Sequence, residues 1–141
     1  MKYLLSIPIL IAFSLLLSAC ASKGSVEIKC DDFYESANKA DSIEVATGDQ
    51  FTVSLCSNAS TGYQWVETAD ISDPGVIEQT GHEYILAPEK DKPAPPGTPG
   101  SEMWIFNALK EGNSTISFEY GQPWDGGEKA AWTFVLSVVV K

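Results

Sequence analysis

Trp132-Thr133-Phe134-Val135-Leu136-Ser137-Val138-Val139-Val140 alternates residue by residue, so that Trp132, Phe134, Leu136, Val138 and Val140 fall on one face of an extended chain. A period of two marks a β-strand with one face turned to a core. The same period recurs upstream. Ile116, Phe118 and Tyr120 alternate with Ser117 and Glu119, and Phe51, Val53 and Leu55 alternate with Thr52 and Ser54. Met103 to Ala108 is apolar on both faces, and Ile43 and Val45 alternate with Ser42 and Glu44. Tyr63-Gln64-Trp65-Val66 starts a strand directly after Gly62. Val76 to Leu86 reads as a strand interrupted near Gly81, where a bulge is expected. Val26-Glu27-Ile28 alternates briefly before Asp31 and Asp32 break the pattern.

Turn signals separate these runs: Thr47-Gly48-Asp49, Ser72-Asp73-Pro74-Gly75 and Lys110-Glu111-Gly112-Asn113. The strands predicted are 42–46, 50–57, 63–67, 76–86, 101–109, 114–120 and 131–140. No stretch beyond the leader keeps a helical period over three turns. The pattern predicts an all-β antiparallel sandwich of seven to eight strands in one domain, 26–141. Its core is expected to hold Ile43, Val45, Val53, Trp65, Trp104, Phe106, Ile116, Phe118, Phe134 and Leu136.

Residues 1–19 read as a secretory signal: Lys2 is the basic start, Leu4 to Leu17 the apolar run, and Ser18 and Ala19 precede Cys20. The run is shorter than the roughly 20 residues a spanning helix needs. Leu17-Ser18-Ala19-Cys20 resembles the bacterial lipobox, which makes Cys20 the expected lipidated first residue, with 20–25 as its tether. A lipid on Cys20 would hold the domain to a membrane without a transmembrane helix. With Ala21 and Ser22 following, and no Asp there, the expected place is the bacterial cell envelope, at the outer membrane if there are two.

Removing residues 1–19 takes away Lys2 and leaves 8 Lys against 19 acidic residues, a net charge of −11; the chain has no Arg. That balance argues against nucleic-acid binding, which draws on basic patches. Two other cysteines remain, Cys30 and Cys56. Outside the cytoplasm they are candidates for a disulfide, two buried thiols being the alternative.

Three loops carry unusual residues: Asn58-Ala59-Ser60-Thr61-Gly62-Tyr63, Gly97-Thr98-Pro99-Gly100 and Gln122-Pro123-Trp124. Taken singly, the first is an ordinary turn and the second a flexible tip within Ala87–Ser101, which holds five Pro and two Gly. Trp124 is the exception. An indole among Gly, Asp and Gln either folds back over the end of the sandwich or waits for a partner. Strand alternation places all three loops at the same end. They read as a binding edge.

The ordered set resembles the chagasin-type inhibitors of papain-like cysteine peptidases. That family carries Asn-Pro-Thr-Thr-Gly-Tyr/Phe, a Gly-rich motif and Arg-Pro-Trp in the corresponding loops. The likeness spans Ser42 to Val140, and the turn Ala108–Gly112 fits it too. It implies an immunoglobulin-like sandwich whose loops enter the peptidase cleft, as a reversible, competitive, tight-binding inhibitor. Thr61 and Gly62 would lie nearest the catalytic pair, with Trp124 on aromatic surface beside the cleft. Two departures bear on affinity and target: Ala59 replaces Pro, and Gln122 replaces an Arg with its five-donor fork.

An enzyme is the first rival. His82 is the single histidine, and no Gly-x-Ser-x-Gly or phosphate loop occurs, so no catalytic residue, metal ligand set or cofactor is expected. The second rival is an envelope lipoprotein that binds another protein or a glycan through the same edge. A monomer is expected.

Overall fold

The computed structural model describes residues 24–86 and 95–141. The expected signal peptide, the expected lipidation site Cys20 and the start of the expected tether lie outside the described residues. The tether's last two residues, Gly24 and Ser25, are already strand.

Among the described residues, nine strands and one short α-helix follow in order: β1 (Gly24–Ile28), α1 (Cys30–Glu35), β2 (Asn38–Val45), β3 (Gln50–Ser57), β4 (Gln64–Trp65), β5 (Asp70–Ile71), β6 (Ile77–Ile85), β7 (Gly100–Ala108), β8 (Gly112–Gly121) and β9 (Trp132–Val140). They form two facing sheets. One has the order β1-β3-β7-β6; the other has β2-β9-β8-β4, with β5 also pairing β8.

The all-β immunoglobulin-like sandwich stands, but its sheets are mixed. β1 runs parallel to β3, and β2 runs parallel to β9, while the remaining pairs are antiparallel. Alternation tells which face of a strand is buried but carries no information on its direction, so the sequence could not show this. The stretch 63–67, expected as one strand, is strand only at Gln64–Trp65, with the separate short β5 following at Asp70–Ile71. In the segment that links them, the Gln79 side chain donates to Glu67 O at 2.8 Å and accepts from Ala69 N at 2.9 Å. The expected irregularity in β6 falls between Gln79 and Gly81.

The core lies between the sheets. Phe51, Val53, Leu55, Trp65, Ile77, Trp104, Phe106, Ile116, Phe134 and Leu136 are fully buried. Each such side chain stabilises the fold by about 2 kcal/mol relative to exposure. Of the core residues expected, Ile43 alone is only partly buried, because β2 is an edge strand covered from one side. Cys30 and Cys56 form a disulfide that ties α1 to the end of β3. It presents Phe33, 2 % exposed, to the core.

Candidate functional site

Loop 58–63 builds its own shape. β3 ends at Ser57, and Asn58 caps a single 3₁₀ turn, Ala59–Thr61. The Asn58 side-chain oxygen accepts from Ser60 N at 3.2 Å and from Ser60 Oγ at 2.7 Å. Thr61 Oγ1 donates to Asn58 O at 2.6 Å. Gly62 ends the turn with φ +80°, a backbone state that costs glycine almost nothing. These short polar side chains bond to nearby backbone as turn residues do. The stiffness that Ala59 does not provide is thereby supplied by hydrogen bonds.

Beneath the loop, one carboxylate holds both of its stems. Glu102, on β7 and 4 % exposed, accepts from Ser57 Oγ at 2.7 Å and from Trp65 N at 3.1 Å through the same oxygen. Its other oxygen lies 2.9 Å from His82 Nε2 on β6. A buried carboxylate is tolerated when hydrogen-bonding partners surround it, and three groups do so here. His82 is thus a hydrogen-bonded structural residue. The sequence reading missed Glu102 and Ser57, although both sit at inward positions of their strands, Glu102 in step with Trp104 and Phe106, and Ser57 in step with Phe51, Val53 and Leu55. A polar residue in a buried register was the available signal.

The other two loops flank this one. On one side, Asn58 Nδ2 donates to Gly97 O at 3.1 Å. Thr98 donates from both N and Oγ1 to Pro95 O, at 3.1 Å and 2.8 Å. Pro99 leads into Gly100, where a Cβ would stand 2.4 Å from Ile85 O, so only glycine fits. On the other side, the Trp124 indole leans on Gly62 and remains 50 % exposed. It both folds back over the sandwich end and faces outward. Gln122 is bound within its own loop: its N donates to Glu128 O at 2.7 Å, and its Oε1 accepts from Glu128 N at 3.0 Å. Lys129 Nζ adds bonds to Gln122 O and Trp124 O at 2.5 Å and 3.0 Å. Pro123 bridges these anchors at the exposed surface. All three loops therefore lie at one end of the sandwich, with 58–63 in the middle.

An aromatic row supports this end. Tyr63 stacks on Tyr120 (5.8 Å), Tyr120 on Trp132 (4.8 Å), and Trp132 on Phe33 of α1 (4.9 Å). The Tyr120 hydroxyl accepts from Asn58 N at 3.0 Å, tying the row to the loop. The Tyr63 hydroxyl donates to Glu128 Oε2. That bond to a carboxylate, with some desolvation and the negative charge of Glu128, raises the Tyr63 phenol above its ordinary range.

Comparisons with known proteins bear on the fold and the family. Amoebiasin-2 of Entamoeba histolytica is 27 % identical over 99 residues, covering 70 % of this chain and 76 % of its own. Among solved structures, the cysteine protease inhibitor EhICP2 from Entamoeba histolytica superposes with a TM-score of 0.63 at 20 % identity, over 85 % of this chain and 98 % of that one. PbICP-C, solved in complex with falcipain-2, gives 0.50 at 17 % identity, over 84 % and 99 %. At these identities the two structures speak to the fold alone. The family of chagasin-type peptidase inhibitors, I42, matches residues 44–138, which hold the three loops and the strands that carry them; the chain belongs to that family and is an inhibitor, not an enzyme.

Proposed function

We propose that the protein is a reversible, tight-binding, competitive inhibitor of papain-like cysteine peptidases that occludes the active-site cleft with loops 58–63, 97–100 and 122–124. The observation that carries this is the meeting of the three loops at one end, the central one hydrogen-bonded internally and to a neighbour. A preformed wedge loses little conformational entropy on docking, so more of its contact energy appears as affinity. Thr61 and Gly62 at the tip would stand over the catalytic Cys and His, blocking them without presenting a scissile bond in register. Trp124, half-exposed, would anchor one flank and loop 97–100 the other. That EhICP2 is a cysteine protease inhibitor, and that PbICP-C was solved with falcipain-2, supports this target class.

We further propose that lipidated Cys20 tethers the inhibitor to the bacterial envelope, as the lipobox-like Leu17–Cys20 suggests. The test of function is a titration of papain with the purified protein against a fluorogenic peptide. Slow-reversible inhibition relieved by excess substrate is expected. Full papain activity beside a folded protein would assign the loop edge to a different protein or a glycan.

A further inference from the structure

Between loop 58–63 and the segment after Trp124 lies a groove lined by Tyr34, Thr61, Tyr63, Glu128 and Trp132. Tyr34 comes from α1, which precedes the family-matched segment and is fastened by the Cys30–Cys56 disulfide. Its ring is 72 % exposed and meets Trp132 only edge-on, at 5.8 Å. Glu128 also lines it. Its Oε2 accepts from Tyr63, and its Oε1 has no partner among the described residues. The neighbouring Lys129 is turned away, its Nζ held by Gln122 O and Trp124 O. Among the described residues, the one lysine–carboxylate pair joins Lys141 to Glu44, and no lysine of these residues pairs with Glu128.

Aromatic rings around an uncompensated carboxylate form a receptor for a side-chain cation. The rings attract it through their faces, and the carboxylate completes the charge. A planar guanidinium suits the combination best, since it stacks and donates in the same plane. The net charge of −10 favours such a visitor at longer range. We propose that this groove is a secondary specificity pocket that takes an arginine side chain from the rim of the docked peptidase. The assignment rests on the inhibitor reading above, because the groove shares Thr61 and Tyr63 with the central loop, and any body seated on that loop covers it. Peptidases with a basic residue there would be inhibited about tenfold more tightly than those without.

The test uses N-acetyl-arginine amide as probe and its uncharged citrulline counterpart as control. With arginine, the NMR signals of the Tyr34 and Tyr63 rings and the Trp132 indole are expected to shift. Citrulline is expected to leave them in place, as is arginine added to the Glu128→Gln variant, whose amide still accepts from Tyr63. Equal shifts with both probes, or an unaltered arginine response in Glu128→Gln, would overturn the pocket. In a second arm, saturating arginine amide should raise the apparent inhibition constant of the wild-type protein for papain and leave that of Glu128→Gln unchanged. Inhibition indifferent to the probe places the groove outside the docking face and also sinks the idea. Absence of any papain inhibition defeats the inhibitor reading instead, and the first arm then decides the groove by itself.

Discussion

Gly62 and Trp124 are in direct contact across two loops: a Cβ at Gly62 would sit 3.0 Å from the Trp124 Cη2. Gly62 also holds φ +80°. One glycine thus shapes the tip of loop 58–63 and seats the indole of loop 122–124. Gly62→Ala would strain the backbone by about 1–2 kcal/mol and push the indole away. The expected result is a lower melting temperature together with a rise of at least tenfold in the inhibition constant for papain.

Trp124→Ala separates binding from stability. The side chain is half-exposed and outside the core cluster, so the melting temperature should move little. As an aromatic anchor it should contribute about 2–3 kcal/mol to the complex, a loss of roughly 30- to 150-fold in inhibition. A melting curve beside a papain titration checks both. Unchanged inhibition would remove loop 122–124 from the interface.

Glu102→Ala would leave Ser57 Oγ, Trp65 N and His82 without their shared acceptor in a buried place. Denaturant unfolding should show a loss of about 3 kcal/mol. Glu102→Gln keeps an acceptor oxygen and should lose less. Because both loop stems converge on this carboxylate, inhibition should weaken in the order of the two stability losses.

The Cys30–Cys56 bridge closes a sequence separation of 26 residues. Replacing both cysteines by serine should lower stability by about 3 kcal/mol, measured by unfolding without reductant. It should also free α1, and with it the stacking of Phe33 on Trp132, visible as a change in near-UV circular dichroism.

The Tyr63 phenol, raised by its bond to Glu128, should titrate above the ordinary value of 10.0. A raised folded value means the protonated phenol is favoured in the folded state. Its contribution is therefore present below the unfolded value and is lost as pH climbs through the folded one. NMR titration of the Tyr63 ring should show this, and Glu128→Gln should bring it back toward the ordinary range.

Much of this was legible in the residues. The alternation of Phe134, Leu136, Val138 and Val140 announced a half-buried strand, because side chains of an extended chain point alternately to opposite faces. Asn58, Ser60, Thr61 and Gly62 announced a tight polar turn, because their side chains and the free φ of glycine are local properties. The ordered motifs pointed to the family that the matched segment 44–138 establishes. What depends on neighbours distant in the chain was not legible. The parallel run of β1 beside β3 and of β2 beside β9 is a choice of partner, which alternation does not encode. Glu102 gains its meaning only when β7 brings it under Ser57 and Trp65. Tyr34 borders the groove only because α1 is carried there by the bridge to Cys56. The sequence by itself determined the faces, the turns and the loop edge, since these follow from spacing and backbone preference. Tertiary structure alone decided strand direction, the buried carboxylate that holds the loop and the groove beside it, since each arises from contacts between residues far apart in the chain.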